Sequence, residues 1–68
     1  MNTKETVKGI VTESRPGTKF DVRLGDDRVI LCAISGKMYQ NHIYVVPGDR
    51  VDVILSPDGR IGRIVRRL

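Results

Sequence analysis

The sequence predicts an all-β domain that closes into a small five-stranded barrel. Three observations predict it. Turn signals recur at short intervals, at Pro16-Gly17, Gly25-Asp26-Asp27, Ser35-Gly36, Pro47-Gly48 and Pro57-Asp58-Gly59. The runs between them are short and rich in valine and isoleucine. Apolar and polar residues alternate in several of these runs, as they do on a strand with one wet face.

The first predicted strand is Val7 to Ser14. Lys19 to Leu24 follows, with Phe20, Val22 and Leu24 on one face and Lys19, Asp21 and Arg23 on the other. Arg28 to Ile34 is more apolar throughout, as expected of a strand covered on both faces or closed into a barrel. Val51 to Leu55 alternates again, with Val51, Val53 and Leu55 inward and Asp52 outward. Arg60 to Arg66 is the last strand, reached through Ser-Pro-Asp-Gly, whose Asp-Gly pair suits a tight hairpin with positive φ. The one long connection, Ile34 to Asp49, has a helical start: Ser35 as cap, then Lys37, Met38, Tyr39 and Gln40. Pro47 ends it. Five strands left open would expose two edges, and closure removes them. Five strands with a short helical turn between the third and fourth describe an OB-fold, a Greek-key barrel that binds oligonucleotides.

A chain of 68 residues is one domain, residues 1–68. A core this small covers only about 60% of the surface that the unfolded chain exposes. Cys32 is the lone cysteine and His42 the lone histidine, so no intrachain disulfide and no Cys/His metal cluster is expected. The first residues, MNTKETVKG, lack a long apolar run, so neither a secretory signal nor a membrane span is expected and the predicted location is cytoplasmic.

Net charge is +4 and falls mostly on the second half, since residues 35–68 hold six basic and three acidic side chains. Arginine outnumbers lysine eight to four, and Arg60, Arg63, Arg66 and Arg67 crowd the last nine residues without an acid. That balance favours an anionic polymer as partner, because the guanidinium fork matches phosphate oxygens. A solvated strand edge that resists aggregation is the other use of such a cluster. Catalysis is not expected. Cys32 sits mid-strand as apolar packing, His42 has no partner in sequence, and Asp26, Asp27, Asp49, Asp52 and Asp58 fall at turns or on wet strand faces. The glycines form no phosphate-cradling loop.

Three aromatics remain. Phe20 is in phase with the core positions, or else it offers a base a stacking platform. Tyr39 and Tyr44 sit in a short polar segment, where each either packs over the barrel mouth or stacks on a base. His42 is a loop histidine or a contact to base or phosphate.

The run from Gly9 to Leu24, the ISGKM of Ile34 to Met38, Asn41 and Ile43, the PGDRV of Pro47 to Val51 and the GRIV of Gly62 to Val65 together resemble bacterial translation initiation factor one. The resemblance spans Val7 to Arg67. It implies an OB-fold monomer, not an enzyme and without cofactor, that binds the small ribosomal subunit at the decoding A site. Its partners there would be rRNA, an adjacent ribosomal protein and initiation factors two and three. Initiator tRNA would be kept from that site. Carried over by position, Gly36, Lys37 and Met38 match the family's loop, Phe20 its surface aromatic, Arg63 the arginine of its GRI, and Arg67 a basic residue near its end. The expected RNA-contacting set is therefore Phe20, Gly36, Lys37, Met38, Tyr39, Asn41, His42, Tyr44, Arg60, Arg63, Arg66 and Arg67. Three departures stand out. Tyr39, Gln40 and Tyr44 replace basic residues, Ala33 replaces a histidine, and the last hairpin is shorter, without the lysine before GRI. The alternatives are a general single-stranded RNA-binding chaperone or antiterminator, and a protein-interaction adapter whose charge is incidental.

Overall fold

The computed structural model describes residues 6–68. Five strands, β1 (Val7–Arg15), β2 (Lys19–Leu24), β3 (Val29–Ile34), β4 (Arg50–Leu55) and β5 (Ile61–Arg67), enclose a barrel, with one short helix, α1 (Gly36–Gln40), between β3 and β4. The barrel closes in the order β1-β2-β3-β5-β4, and β4 pairs back onto β1. All neighbours are antiparallel except β3 and β5, which run parallel. No strand edge is left open along the full circuit, so the aggregation hazard of a five-stranded sheet is removed.

The turns form where the sequence carries special backbone residues. Gly17 and Thr18 turn β1 into β2 at φ 80 and φ 60. In the β2–β3 turn the Asp26 carboxylate accepts from the backbone N–H of Arg28 at 3.1 Å. Asp49 accepts from the Val46 N–H at 3.0 Å, the turn-fixing role its place after Pro47-Gly48 suggests. Two bonds tie this turn to β1: Gly48 N–H to the Val11 carbonyl (2.7 Å) and Val11 N–H to the Asp49 carbonyl (2.9 Å). In the last turn only Gly59 takes positive φ, at 73. Asp58 accepts from the Ser56 hydroxyl and the Arg60 N–H instead.

Val11, Phe20, Val22, Leu24, Ile30, Cys32, Met38, Val45, Val51, Val53 and Ile64 form one core. β2, β3 and β4 give it alternate residues, as the pleat requires, and β1 and β5 give Val11 and Ile64. Gly62 crosses β3 and β4 so closely that a Cβ there would lie 2.6 Å from Val53 Cγ1 and 3.1 Å from Cys32 Sγ. A side chain at that position would have to displace core atoms, which is why glycine stands in the middle of β5.

Of the two settings expected for β3, closure into a barrel is the one found: Ile30 and Cys32 point into the barrel, while Val29 (56%) and Leu31 (40%) are exposed. One expectation is corrected. Asp52 is on the outer face, as its phase requires, but it is not wet. It is 2% exposed because its register neighbours Lys8 and Arg66 fold over it. Their ammonium and guanidinium bind opposite carboxylate oxygens, at 3.2 Å and 3.1 Å. The aliphatic stems cover the carboxylate and the charged heads stay in water.

Candidate nucleic-acid interface

The site begins with how α1 is held. Ser35 caps it, its hydroxyl accepting from Met38 N–H at 3.2 Å, and Ser35 N–H donates to the Ile64 carbonyl of β5 at 2.9 Å. The helix is thus pinned to β5 from its first turn. Its far end closes by two bonds, Ile43 N–H to the Met38 carbonyl (2.9 Å) and His42 N–H to the Tyr39 carbonyl (3.1 Å). This is a Schellman motif with His42 in the left-handed position, at φ 57. Asn41 and Ile43 on either side of His42 are thereby aimed back toward β5.

The result is a cleft of about 360 Å³ between α1 and the end of β5. Lys37, Asn41, Arg66 and Arg67 line it, with Met38 and Ile43 contributing apolar wall. Lys37 and Asn41 share one helix face because they are four residues apart. Arg66 is oriented by Asp52, which binds its Nε, and among the described residues neither terminal nitrogen has a partner. Arg67 donates through Nη1 to the Tyr44 carbonyl at 3.1 Å, which clips the tyrosine-bearing segment to β5. Neither Lys37 nor Arg67 has a carboxylate partner among the described residues.

Two arginines outside the cleft are consumed locally. Arg15 grips Asp21 through two nitrogens, at 2.9 Å and 2.8 Å. That bond raises the guanidinium pKa and holds the Asp21 carboxyl below the usual carboxylate range. Arg28 pairs with Asp26 at 2.9 Å. Uncovered cations side by side make a cleft receptive to phosphate oxygens, whereas paired ones do not.

Five of the residues singled out in sequence, Lys37, Met38, Asn41, Arg66 and Arg67, therefore meet in one place, and Tyr44 is tethered to it. Tyr39 and Tyr44 are 58% and 53% exposed, so both rings are open to a partner. Gly36 and His42 are exposed on α1 and its cap. Arg63 is exposed on the outer face of β5 beside a separate cleft, and Arg60 lies in the turn before that strand. Plain strand alternation would put Arg60 and Arg66 on one face, and the structure does not keep it. The β4–β5 register shifts between Asp52 and Val53, so Ile64 faces Val53 and Arg66 faces Asp52. The extra residue, Val65, puts Arg66 in phase with Arg63.

Phe20 and Met38 are also corrected. Phe20 is 6% exposed and Met38 3%, both in the core. Neither offers a face to a base; Met38 shapes the cleft from below. Asp52 was missed in sequence as a residue of the site. Its signal is its pairing with Lys8 and Arg66, which appears only once the strands are in register.

A larger cleft, about 500 Å³, lies between β1, β2 and β4, with Arg23 and Arg50 on its rim. It contains none of the residues singled out for RNA contact.

A closed five-stranded barrel with β3 parallel to β5 and a helix between β3 and β4 defines an OB-fold protein, here with one uncovered cationic cleft against that helix. A family model described as translation initiation factor 1A / IF-1 matches residues 1–68, and the chain belongs to that family. Among solved structures it is similar to translation initiation factor one from the Wolbachia endosymbiont strain TRS of Brugia malayi. That match has 38% identity and a TM-score of 0.78, and covers 98% of this chain and 80% of that one. It is also similar to part of YjeQ from Thermotoga maritima, with 25% identity and a TM-score of 0.76, over 94% of this chain but 23% of that one. The resemblance to initiation factor one is thus established, and with it the OB-fold and a role in translation initiation. Among the described residues no helix is long and apolar enough to cross a membrane.

Proposed function

We propose that this chain occupies the decoding A site of the small ribosomal subunit, in the cytoplasm, and acts there by occupancy and bridging rather than by catalysis. The observation that carries the reading is the α1–β5 cleft. Lys37, Arg66 and Arg67 converge there with the amide of Asn41, and Lys37 belongs to the loop that matches the family's. The cations take phosphate oxygens and Asn41 takes a base edge or sugar hydroxyl. Tyr39 and Tyr44 stand beside the cleft as stacking rings, supplying contact that the replaced basic residues would otherwise give. Arg60 and Arg63 extend the cationic surface along β5, and Gly36 lets the backbone at the start of α1 approach the RNA. His42 presents its imidazole from the helix cap.

In this reading the bound monomer blocks tRNA from the site, touches a ribosomal protein at its edge, and stabilises the initiation complex together with initiation factors two and three. Chemical footprinting of subunit rRNA tests it. Decoding-site bases should become protected on addition of the chain and lose that protection with Lys37→Ala and Arg67→Ala together. Stoichiometric binding without decoding-site protection would contradict the placement.

A second reading, a general single-stranded RNA chaperone or antiterminator, draws on Arg23 and Arg50, which lie well outside the cleft and have no carboxylate partner among the described residues. It predicts equal affinity for any unstructured RNA.

A further inference from the structure

The outer face of β2, β3 and β5 is a registered grid. Arg23 faces Val29, Asp21 faces Leu31, and Lys19 faces Ala33 across β2 and β3. On the other side of β3, Leu31 faces Ile61 and Ala33 faces Arg63. The centre of the grid is aliphatic and open: Val29 is 56% exposed, Leu31 40% and Ile61 56%. Beside it a cleft of about 300 Å³, with Ala33, Ile54, Pro57 and Ile61 in its wall, offers a seat for one side chain. The rim is cationic. Lys19, Arg23 and Arg63 have no carboxylate partner among the described residues, and the one acid in the grid, Asp21, is held by Arg15.

In an OB-fold the face of strands two and three is a usual place for oligonucleotides, which it holds by stacking bases on aromatic rings. This face has none. Phe20 is in the core, and Tyr39 and Tyr44 belong to α1 and the segment after it. An aliphatic centre with a polar charged rim is instead the anatomy of a protein interface. The unpaired cations fix the sign of the partner, and the net charge of +4 opposes a second copy of the chain.

We infer that the outer face of β2, β3 and β5 docks an acidic protein segment that inserts one apolar side chain beside Ile61. The inference rests on the RNA reading of the α1–β5 cleft, in which RNA reaches this face only at Arg63 on its border and leaves the aliphatic centre, Val29, Leu31 and Ile61, free. The protein would then bridge RNA on one side and an acidic protein on the other.

Random short peptides displayed on phage, panned against the immobilised full chain, supply the probe. The enriched peptide is then synthesised and titrated into isotopically labelled chain, with oligouridylate as a parallel titrant, and amide shifts are read by NMR. The expected peptide is rich in Asp and Glu around one aliphatic or aromatic residue. It shifts Val29, Leu31, Ala33, Ile61 and Gly62, while the RNA shifts Lys37 to Ile43 and Val65 to Arg67. Leu31→Ser with Ile61→Ser, both solvent-facing, should keep the fold and weaken the peptide about tenfold, as losing two interface anchors does. Four results would overturn the inference: no enrichment, peptide shifts confined to the α1–β5 cleft, RNA shifts at Val29, Leu31 and Ile61, or shifts at those residues with chain concentration alone. RNA that shifts neither surface would count against the RNA reading alone.

Discussion

His42 sits at φ 57, a backbone region in which a Cβ costs about 1–2 kcal/mol. Glycine there keeps both Schellman bonds without that cost. His42→Gly should therefore leave stability unchanged or raise it by about 1 kcal/mol in urea unfolding, against glycine's larger unfolded-state entropy. A loss of that size would mean the imidazole holds contacts of its own. Cys32 gives a second test. Burial is the main cause that pushes its thiol from 9.0 up to about 11, with the Asp21 charge adding to it. The folded state keeps the proton longer than the unfolded one. Stability from this group is thus complete below the unfolded pKa and is lost as pH rises through the folded one. Between pH 9.0 and about 11 the chain should lose about 2–3 kcal/mol on this account. Cys32→Ala should flatten that part of the urea-stability profile; an unaltered slope would show that other groups set it. Asp52→Ala should destabilise by about 1–3 kcal/mol, since it strips two charged hydrogen bonds from a buried carboxylate position. It should also weaken RNA binding by releasing Arg66.

At the scale of elements, strands and turns were readable because alternation and turn residues are local. β2 was legible to its ends, Lys19 to Leu24, and the cap at Ser35 was named by its residue type. What was not legible depends on neighbours. Phe20 could be core or platform until β3 closed over it. Asp52 looked wet because nothing in one strand says that Lys8 and Arg66 lie beside it. The four terminal arginines could not be assigned to faces, because the bulge at Val65 changes the phase midway along β5. The same bulge lets Arg66 turn toward α1, so an irregularity of one element completes the cleft. Two substitutions test the cleft as an element. Arg67→Ala should reduce the slope of log affinity against log salt by about one unit and free the Tyr44 segment. Tyr39→Ala should cost about 1–3 kcal/mol of subunit binding if its ring stacks. Unchanged affinity with an intact fold would remove that ring from the interface.

The whole molecule is a small barrel whose charge is sorted by surface. Arg15 and Arg28 are spent on local ion pairs, while Lys37 and Arg67 stay uncovered where α1 meets β5. A rigid closed barrel suits occupancy, because its binding loop is ordered before it meets the partner. Attachment to the small ribosomal subunit should be specific and confined to a single site. Binding of labelled chain to purified subunits at two salt concentrations, with an equal mass of unstructured RNA as competitor, measures this. Binding should saturate at one copy per subunit, weaken with salt and resist displacement by the RNA. Binding that the RNA competes away would contradict that specificity, and would make the protein a general RNA binder.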